Sequence, residues 1–385
     1  MKVYVIAGEL SGDKLGAALM SGLLQLHDSD IEFRGIGGPL MAQQGLTSQF
    51  PMNELSVMGL VEILPKYFDL KRRIQQCVDA ILEWQPDVII TIDSPDFCLR
   101  VAKAVREKSN LRTVHYVAPS VWAWRSGRAA KMASFIDQVL ALLPFEPPYM
   151  TAHGMRCDFV GHPVVSEPLP SPKAVKTLKT DLGFDGPTCL VLPGSRRSEV
   201  SRLLPVFVQT MENLQSLRPD LNFVLPAAGP VADLVRELTA EMAMPPHILD
   251  ASELPAGEAE TRKRAAFAMA DMALAVSGTV SLELAATGTP MVIAYDVNII
   301  TRTIMKRLLK VDTLTLANLV TDTREIPEFL GKDCIAEKIA PALLDLLEAP
   351  ESQKGILSDT MRLLGRDDQD PGLRAAAAVL DGLKG

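Results

Sequence analysis

The chain has 385 residues, of which 48% are hydrophobic and 22% are charged, and its formal net charge is −8. This is the composition of an ordinary globular protein with room for two domains, and its negative charge disfavours a general nucleic-acid-binding role. No apolar run approaches the ~18 residues of a membrane span, and the start does not resemble a signal peptide. The five scattered cysteines form no C-x-x-C pair, which favours reduced thiols in a cytoplasm over disulfides or a zinc site.

Apolar strands alternate with amphipathic helices in both halves of the chain. The first half contains the strand-like runs VYVIA, IEFRGIG, DVIITI, RTVHYV and QVLALL, and the second half contains TCLVLP, NFVLPA, MALAV and MVIAY. Helical patterns lie between most of these runs. The alternation predicts an α/β fold with two Rossmann-like domains, each built on a parallel sheet.

Four prolines between Pro163 and Pro172 predict a linker between the two domains. We therefore expect an N-terminal domain over 1–165 and a C-terminal domain over 166–365. The last segment, 366–385, contains PGLRAAAAVLDGL, which predicts a helix with its proline near the start.

GELSGD follows the first strand and opens the first helix, and it supplies Glu9, Ser11, Gly12 and Asp13. Backbone amides at such a helix start can face an anion or a sugar hydroxyl. Gly, Ser and Asp are also common in any strand-to-helix turn. The absence of G-x-G-x-x-G and of a Walker lysine motif disfavours a dinucleotide dehydrogenase.

TIDSPDF places Asp93 and Asp96 where another apolar strand ends. The local pattern favours turn chemistry, since Asp and Pro both favour loop starts. The alternative is a general base at the edge where ligands of open α/β sheets bind. The local pattern alone leaves both interpretations open.

Two strand-to-helix loops in the second half favour binding of a nucleotide diphosphate. LPGSRRSEV offers Gly194, Ser195 and Arg196, whose planar guanidinium suits phosphate oxygens. VSGTVSLE begins a helix whose amides and dipole also suit phosphate. Its candidate residues are Ser277, Gly278, Thr279 and, one turn later, Glu283. The structural alternative for this segment is an N-cap followed by an ordinary helical Glu.

SVMGLVEILPKYFDLKRRI combines an apolar face with a cluster of cations, which is how a helix lies on an anionic membrane. The alternative is that this face packs into the core. The apolar candidates for a membrane-facing lip are Met58, Leu60, Val61, Ile63, Leu64, Tyr67 and Phe68. In VAPSVWAWR, alternate spacing predicts that Trp122 and Trp124 share one face of an extended segment, and we expect at least one of them in the core.

The histidines are dispersed without metal-ligand spacing, and no G-x-S-x-G elbow is present. We therefore expect neither a metal site nor a serine hydrolase, and no cofactor.

The motifs GELSGD, GIGGP, ELSVMGLVEIL, TIDSPDF, HYVAPSVWAWR, LPFE, VGHP, LPGSR and SGTVSLE, in this order, resemble the lipid-A-disaccharide synthase family. The resemblance runs from Ala7 to beyond Asn318, and PSVWAWR and the VMGLVE run are specific to that family. Two positions depart from it. Leu40 stands where a basic residue is often found, and Ala317 stands where a proline commonly precedes the asparagine.

The resemblance implies a GT-B type glycosyltransferase with two Rossmann-like domains facing a cleft. The family transfers 2,3-diacylglucosamine from UDP to the 6-hydroxyl of 2,3-diacylglucosamine 1-phosphate, with inversion and without a metal. It implies a cytoplasmic enzyme, peripheral on the inner face of the inner membrane. It also implies a possible homodimer, in which the C-terminal helix packs on its own or a partner's N-terminal domain.

The resemblance also implies roles for the candidate residues. The N-terminal domain faces the acceptor and the membrane, and Asp96 is the expected base because it lies further out in the loop, with Asp93 orienting it. The C-terminal domain is expected to bind UDP, and Asn318 to hydrogen-bond the donor sugar or phosphate. The expected UDP ligands are Arg196, Ser277, Gly278, Thr279 and Glu283, with Gly194 and Ser195 beside them.

Rival functions share the same fold. One is a related UDP-N-acetylglucosamine transferase acting on a peptidoglycan lipid precursor, and another is a UDP-sugar epimerase. A third is a non-catalytic UDP-sugar sensor at the membrane. Fold alone does not separate them, whereas acceptor preference does.

Overall fold

The computed structural model describes residues 1–55, 60–124, 127–297 and 310–384, without the side chains of 60–67 and 256. The chain divides into two compact units. Unit 1 comprises Met1–Ser166 and Leu364–Gly385, and unit 2 comprises Glu167–Leu363. Within the described residues, no helix is both long and apolar enough to cross a bilayer.

Unit 1 is built on a seven-stranded parallel sheet with the order β3-β2-β1-β4-β5-β6-β7. Its strands are β1 (Lys2–Ala7), β2 (Glu32–Ile36), β3 (Thr47–Ser48), β4 (Val88–Ile92), β5 (Arg112–Tyr116), β6 (Gln138–Ala141) and β7 (Arg156–Phe159). Its helices before the last are α1 (Leu10–Leu26), α2 (Pro39–Gln43), α3 (Leu60–Trp84), α4 (Pro95–Arg106), α5 (Gly127–Met132) and α6 (Pro147–Thr151).

The central strands β1 and β4 of unit 1 are buried on both faces because helices cover both sides of the sheet. Along β1, Val3 and Val5 belong to one buried cluster, whereas Tyr4 and Ile6 belong to another. This separation follows from the alternation of side chains along a strand. It explains why the strand sequences are continuous apolar runs instead of alternating ones.

Unit 2 is built on a six-stranded parallel sheet with the order β10-β9-β8-β11-β12-β13. Its strands are β8 (Thr188–Leu192), β9 (Asn222–Ala227), β10 (His247–Asp250), β11 (Met272–Ala275), β12 (Met291–Tyr295) and β13 (Glu328–Leu330). Its helices are α7 (Pro172–Asp181), α8 (Arg197–Leu217), α9 (Gly229–Thr239), α10 (Ala256–Met269), α11 (Val280–Thr287), α12 (Leu316–Thr321), α13 (Ala336–Glu348) and α14 (Lys354–Leu363).

The chain then returns to unit 1 through α15 (Pro371–Gly382), which packs on α1 of the same chain. The two helices approach closely at a pair of glycines. A Cβ atom at Gly22 would lie 2.7 Å from the carbonyl oxygen of Gly372, so a larger residue would force the helices apart. The side chain of Asp370 caps α15 by accepting a hydrogen bond from the amide of Gly372.

The predicted fold class is confirmed, since both units are α/β and each has a parallel sheet. In unit 1, β1 lies between β2 and β4, and in unit 2, β8 lies between β9 and β11. The direction in which strands are added therefore reverses between β1 and β4, and between β8 and β11. Ligands of open α/β sheets bind outside the carboxyl ends of the strands at such a reversal.

Candidate active site

The loops after β1 and β4 meet at the reversal point of unit 1. Ala7 at the end of β1 pairs with Ile92 at the end of β4, so GELSGD and DSPDF begin side by side. The contact is close, because a Cβ atom at Gly8 would lie 2.5 Å from the hydroxyl oxygen of Ser94. Gly8 thus allows the two predicted loops to come together.

Asp93 occupies an unusual backbone position at the end of β4. Asp93 and Ser94 have φ angles of 50° and 42°, in the left-handed region that L-residues seldom occupy. Strained backbone of this kind concentrates at functional sites. The Asp93 side chain is half-buried, and this burial raises the pKa of its carboxyl, although a hydrogen bond from the Ser94 backbone opposes the shift.

Asp96, the base expected from the sequence, has a different environment. It lies in the first turn of α4, and its side chain is 82% exposed. Its carboxylate is 3.7 Å from the guanidinium of Arg128. Asp96 is therefore a solvated carboxylate beside a cation, whereas Asp93 is partly withdrawn from solvent.

Asp13 is a structural residue in this geometry. It is buried, and its carboxylate accepts hydrogen bonds from the backbone amides of Gly38, Leu40 and Met41 at 2.8 to 3.0 Å. These bonds fix the start of α2, the GGP turn. The structure thus gives Asp13 a structural role, and its role on the acceptor side stays a prediction.

The other predicted residues of GELSGD differ in how far they are buried. Gly12 is buried, and a Cβ atom there would lie 3.3 Å from the Cβ of Ala7, so this glycine serves helix–strand packing. Glu9 is half-buried at the N-cap of α1, and Ser11 is exposed in its first turn. Glu9 and Ser11 thus remain the predicted acceptor-side residues of this loop.

Both tryptophans of PSVWAWR lie in a turn over 121–124, so the predicted extended conformation is wrong. Trp122 is buried and donates a hydrogen bond from Nε1 to Glu146 at 3.1 Å, whereas Trp124 is 44% exposed. The expectation that at least one tryptophan lies in the core is confirmed. Glu146 was missed as a partner, although the LPFE motif contains it; burial raises its pKa to about 7.

At the reversal point of unit 2, the loop after β8 has the predicted glycine turn. Gly194 has a φ of +110°, and a Cβ atom there would also lie 2.8 Å from a carboxylate oxygen of Glu199. Ser195 and Arg196 are exposed at the start of α8. The guanidinium of Arg196 is held at 2.9 Å by Glu199, in the first turn of that helix.

The neighbouring loop after β11 carries Ser277, Gly278 and Thr279. Ser277 donates its hydroxyl to the carbonyl of Leu314 at 2.9 Å, so its side chain anchors the loop. Gly278 has a φ of +145°, and nothing lies within 4 Å of its added Cβ position among the described residues. Thr279 is exposed at the N-cap of α11. The two loops predicted to bind a diphosphate therefore follow adjacent strands.

Glu283 lies in the first turn of α11 and forms an ion pair that the sequence did not reveal. Lys263 on α10 donates to its carboxylate at 2.7 Å. Burial alone would lower the pKa of Lys263, but the charge of Glu283 and the hydrogen bond to it outweigh burial and raise this pKa. The partners are twenty residues apart on different helices, so no local pattern links them.

Asn318 is buried in unit 2, where its side chain contacts the backbone of the same unit. Its side-chain amide donates to the carbonyl of Ile326 at 2.9 Å while its oxygen accepts from the Ile326 amide at 3.1 Å. Both functions of the side chain therefore hold the loop that leads to β13. The contact of Asn318 with the donor sugar or phosphate stays a prediction.

The predicted membrane-facing lip is only partly within the structure. Met58 lies outside the described residues, and the side chains of Leu60, Val61, Ile63, Leu64 and Tyr67 lie outside the description as well. Phe68 is described, and it is 80% exposed on α3.

Comparison with known proteins adds family information to this geometry. A family model described as lipid-A-disaccharide synthetase matches residues 3–369. The chain is 57% identical to the lipid-A-disaccharide synthase of Ruegeria pomeroyi, over 100% of this chain and 96% of that protein. It is 43% identical to the same-named protein of Rhodospirillum centenum, over 98% and 94%.

Among solved structures, the chain resembles the UDP-GlcNAc 2-epimerase of Neisseria meningitidis bound to UDP-GlcNAc. The TM-score is 0.65 with full coverage of both chains, and the sequence identity is 13%. At that identity the likeness shows the shared fold, the GT-B type of two Rossmann-like domains.

Proposed function

The chain belongs to the lipid-A-disaccharide synthase family, and from that premise we propose how its residues perform the reaction. It is a glycosyltransferase of lipid A synthesis. It transfers 2,3-diacylglucosamine from UDP-2,3-diacylglucosamine to the 6-hydroxyl of 2,3-diacylglucosamine 1-phosphate. The products are the β-1,6-linked disaccharide 1-phosphate and UDP. The full-length match to the family carries this conclusion.

In this proposal, Asp93 is the general base. Inversion at the anomeric carbon requires a group that removes the proton of the attacking hydroxyl as the new bond forms. A carboxylate works best as a base when its pKa lies closer to the operating pH, and burial raises the pKa of Asp93. The strained backbone that aims this side chain also supports Asp93 over Asp96.

Unit 2 binds the UDP group of the donor in this proposal. Arg196 leaves Glu199 to hold a phosphate oxygen, and Gly194, Ser195, Gly278 and Thr279 offer backbone amides beside it. Ser277 contributes indirectly, since it anchors the second loop through Leu314. The arrangement supports departure of the diphosphate by placing a cation and amide dipoles where its charge develops.

Glu283 binds the ribose in this proposal. A carboxylate accepts hydrogen bonds from two neighbouring hydroxyl groups, and Glu283 lies one turn into α11, beside the phosphate loop. Lys263 donates to one carboxylate oxygen and leaves the other to accept from a sugar hydroxyl. Glu283 is thus held as an acceptor for a sugar hydroxyl.

Unit 1 binds the acceptor in this proposal and lies at the cytoplasmic face of the inner membrane. Exposure of Phe68 on a helix that also carries Lys71 and Arg72 supports a lipid-facing surface. Phe68→Ser is expected to weaken sedimentation with anionic vesicles several-fold, because one aromatic side chain no longer enters the bilayer. Leu217→Ser removes another exposed apolar side chain, 63% exposed, from unit 2 and serves as the control. Equal effects of both changes would reject the assignment.

A homodimer with exchanged C-terminal segments is part of the proposal. The contacts between α15 and α1 can form equally well with a partner's α1, since the helix follows a polar segment, GRDDQD. Sedimentation analysis of the chain truncated after Leu363 is expected to show loss of the dimer. An unchanged dimer would place the interface elsewhere.

The decisive test of the function is acceptor-dependent UDP release. Purified protein is given UDP-2,3-diacylglucosamine with and without 2,3-diacylglucosamine 1-phosphate, in detergent and EDTA. Release that requires the acceptor, with a disaccharide 1-phosphate seen by mass spectrometry, confirms the reaction. Release without the acceptor would indicate an epimerase-like or hydrolytic enzyme, and binding without release would indicate a sensor.

A further inference from the structure

The acceptor brings a charge problem to unit 1. Its phosphate monoester carries about −1.5 to −2 charges near pH 7. The loop proposed to activate its 6-hydroxyl contains two carboxyl groups, Asp93 and Asp96. An anionic sugar therefore approaches an acidic loop, and productive binding requires a cation close to that loop.

Arg128 is placed to supply this cation. It lies in α5, which follows the loop after β5, and β5 is the neighbour of β4 in the sheet. Its guanidinium reaches across to Asp96 at 3.7 Å, and its side chain is only 26% exposed. The charge of Arg128 also acts on the buried His115 of β5: burial, and then Arg128, lower the pKa of this histidine to about 4. The positive charge thus lies at the carboxyl ends of β4 and β5.

The contact between Arg128 and Asp96 is loose by the standard of unit 1. Arg73 makes two hydrogen bonds to Glu54, both at 2.8 Å, and Arg156 makes two to Asp158 at 2.8 and 3.0 Å. For Arg128, the separation of 3.7 Å exceeds hydrogen-bond distance.

Breaking the ion pair between Arg128 and Asp96 also costs little free energy. Asp96 is 82% exposed, so solvent replaces the guanidinium when the pair opens. A half-buried arginine with a loosely held, solvated partner can exchange that partner for a second anion. A planar guanidinium suits phosphate because it presents parallel N–H donors.

We propose that Arg128 leaves Asp96 and binds the 1-phosphate of the acceptor. The inference rests on the proposed function, since it assigns one end of the acceptor when the other end lies at Asp93. It makes Arg128 the residue that distinguishes a phosphorylated acceptor from an unphosphorylated one. Asp96 then holds Arg128 in place before the acceptor arrives.

The test compares acceptors with and without phosphate. UDP release is measured with 2,3-diacylglucosamine 1-phosphate and with 2,3-diacylglucosamine, for the wild-type protein, Arg128→Ala and Arg128→Lys. For Arg128→Ala, the KM of the phosphorylated acceptor is expected to rise about 10- to 100-fold, the worth of a charged hydrogen bond, while the unphosphorylated acceptor changes less than about twofold. Arg128→Lys keeps the charge but loses the planar pair of N–H donors, so its KM for the phosphorylated acceptor should lie between those of the wild type and Arg128→Ala. Arg100→Ala, an exposed arginine on α4, leaves both unchanged.

Inhibition supplies a second measurement that needs no turnover of the poorer acceptor. Glucosamine 1-phosphate is expected to compete with the acceptor, and its inhibition constant should rise in Arg128→Ala as the KM does. Inhibition by glucosamine should be the same in wild type and variant. The melting temperature and the KM of the donor are expected to stay at wild-type values.

Three outcomes would overturn the inference. Equal losses with both acceptors would mean that Arg128 acts on the sugar or on the loop, and a raised KM for the donor alone would place it at the UDP phosphates. An unchanged inhibition constant for glucosamine 1-phosphate would remove the phosphate contact. Failure of the wild-type protein to release UDP would instead reject the proposed function itself, so the two failures are distinguishable.

Discussion

The two units share a strand order but carry opposite chemistry at their reversal points. In unit 1, the loops after β1 and β4 present half-buried acids, above all Asp93. In unit 2, the loops after β8 and β11 present glycines, hydroxyl groups and Arg196. The backbone therefore determines where a ligand binds, and the loop residues determine which step each unit performs.

The main candidate residues of the two units, Asp93 and Arg196, also differ in burial. Asp93 is half-buried on strained backbone, a position that raises its pKa and suits proton transfer. Arg196 is exposed on a helix start and pairs with a residue three positions away, an arrangement that suits reversible binding of an anion. Loss of the first residue should abolish turnover with binding intact, and loss of the second should weaken binding with chemistry largely intact.

The largest effect is expected for Asp93→Asn. Removing the base should lower kcat by about 10²- to 10⁴-fold, while the Kd of UDP, which belongs to unit 2, stays at the wild-type value. Because burial raises the pKa of Asp93, the ionised base is lost as the pH falls through that pKa, so kcat/KM of the wild type should decrease on the acid side. Steady-state UDP release across the pH range and calorimetry with UDP measure both quantities.

Asp96→Asn is the matched comparison for that prediction, since it changes the exposed carboxyl of the same loop. We expect kcat within about threefold of wild type, as for most surface substitutions. The reverse pattern, with a large loss for Asp96→Asn and a small one for Asp93→Asn, would restore the assignment that the sequence favoured.

A smaller effect is expected for Arg196→Ala. Losing a charge-assisted bond to phosphate should raise the Kd of UDP about 10- to 100-fold, and kcat at saturating donor should change much less. Arg218→Ala removes a partly exposed arginine at the other end of α8 and should leave the Kd unchanged. If both variants bind UDP equally well, the phosphate ligand of unit 2 is another residue.

Asn318→Ala separates structure from binding in unit 2. The change leaves the amide and carbonyl of Ile326 without partners, so the free energy of unfolding should fall by about 1 to 3 kcal/mol. The Kd of UDP is expected to remain at the wild-type value. Denaturant titration and calorimetry on the same sample decide between the roles, since a donor ligand would show the opposite pattern.

The strands, the two parallel sheets and the loops at the reversal points were predictable because apolar periodicity and glycine placement are local signals. The roles of Asp13 and Asn318 were not, because their partners, Gly38 and Ile326, lie elsewhere in the chain. The ion pair of Lys263 with Glu283 could not be predicted for the same reason. The local sequence can thus predict which loops carry polar residues. Which of those side chains make structural hydrogen bonds depends on tertiary contacts.

The sequence favours Asp96 as the base, and our proposal departs from that prediction for a related physical reason. A position further out in a loop predicts exposure, and Asp96 is exposed. In our proposal the property that favours a base is the partial burial of Asp93, at a position where the backbone is left-handed and the next residue, Ser94, packs against Gly8. Neither feature can be derived from the order of residues in TIDSPDF.

The smallest effect concerns Glu146, the buried carboxyl of unit 1. Burial raises its pKa to about 7, against the opposing hydrogen bonds from the Leu143 amide and the Trp122 indole. A folded-state pKa above the unfolded one means that the folded protein binds the proton more tightly. The stability from this proton is therefore fully present below about pH 4.5 and is lost as the pH rises through about 7.

Glu146→Gln should remove that dependence. Between pH 5 and pH 8 the wild type is expected to lose on the order of 1 to 2 kcal/mol more unfolding free energy than the variant. His115 and His162, whose pKa burial lowers from 6.5 to about 4, also reduce the stability as the pH falls through 6.5, but they do so equally in both proteins and cancel in the difference. Parallel denaturant titrations of the two proteins measure it. Equal pH dependence would mean that Glu146 is ionised throughout, and that its bond to Trp122 is charged in the working enzyme.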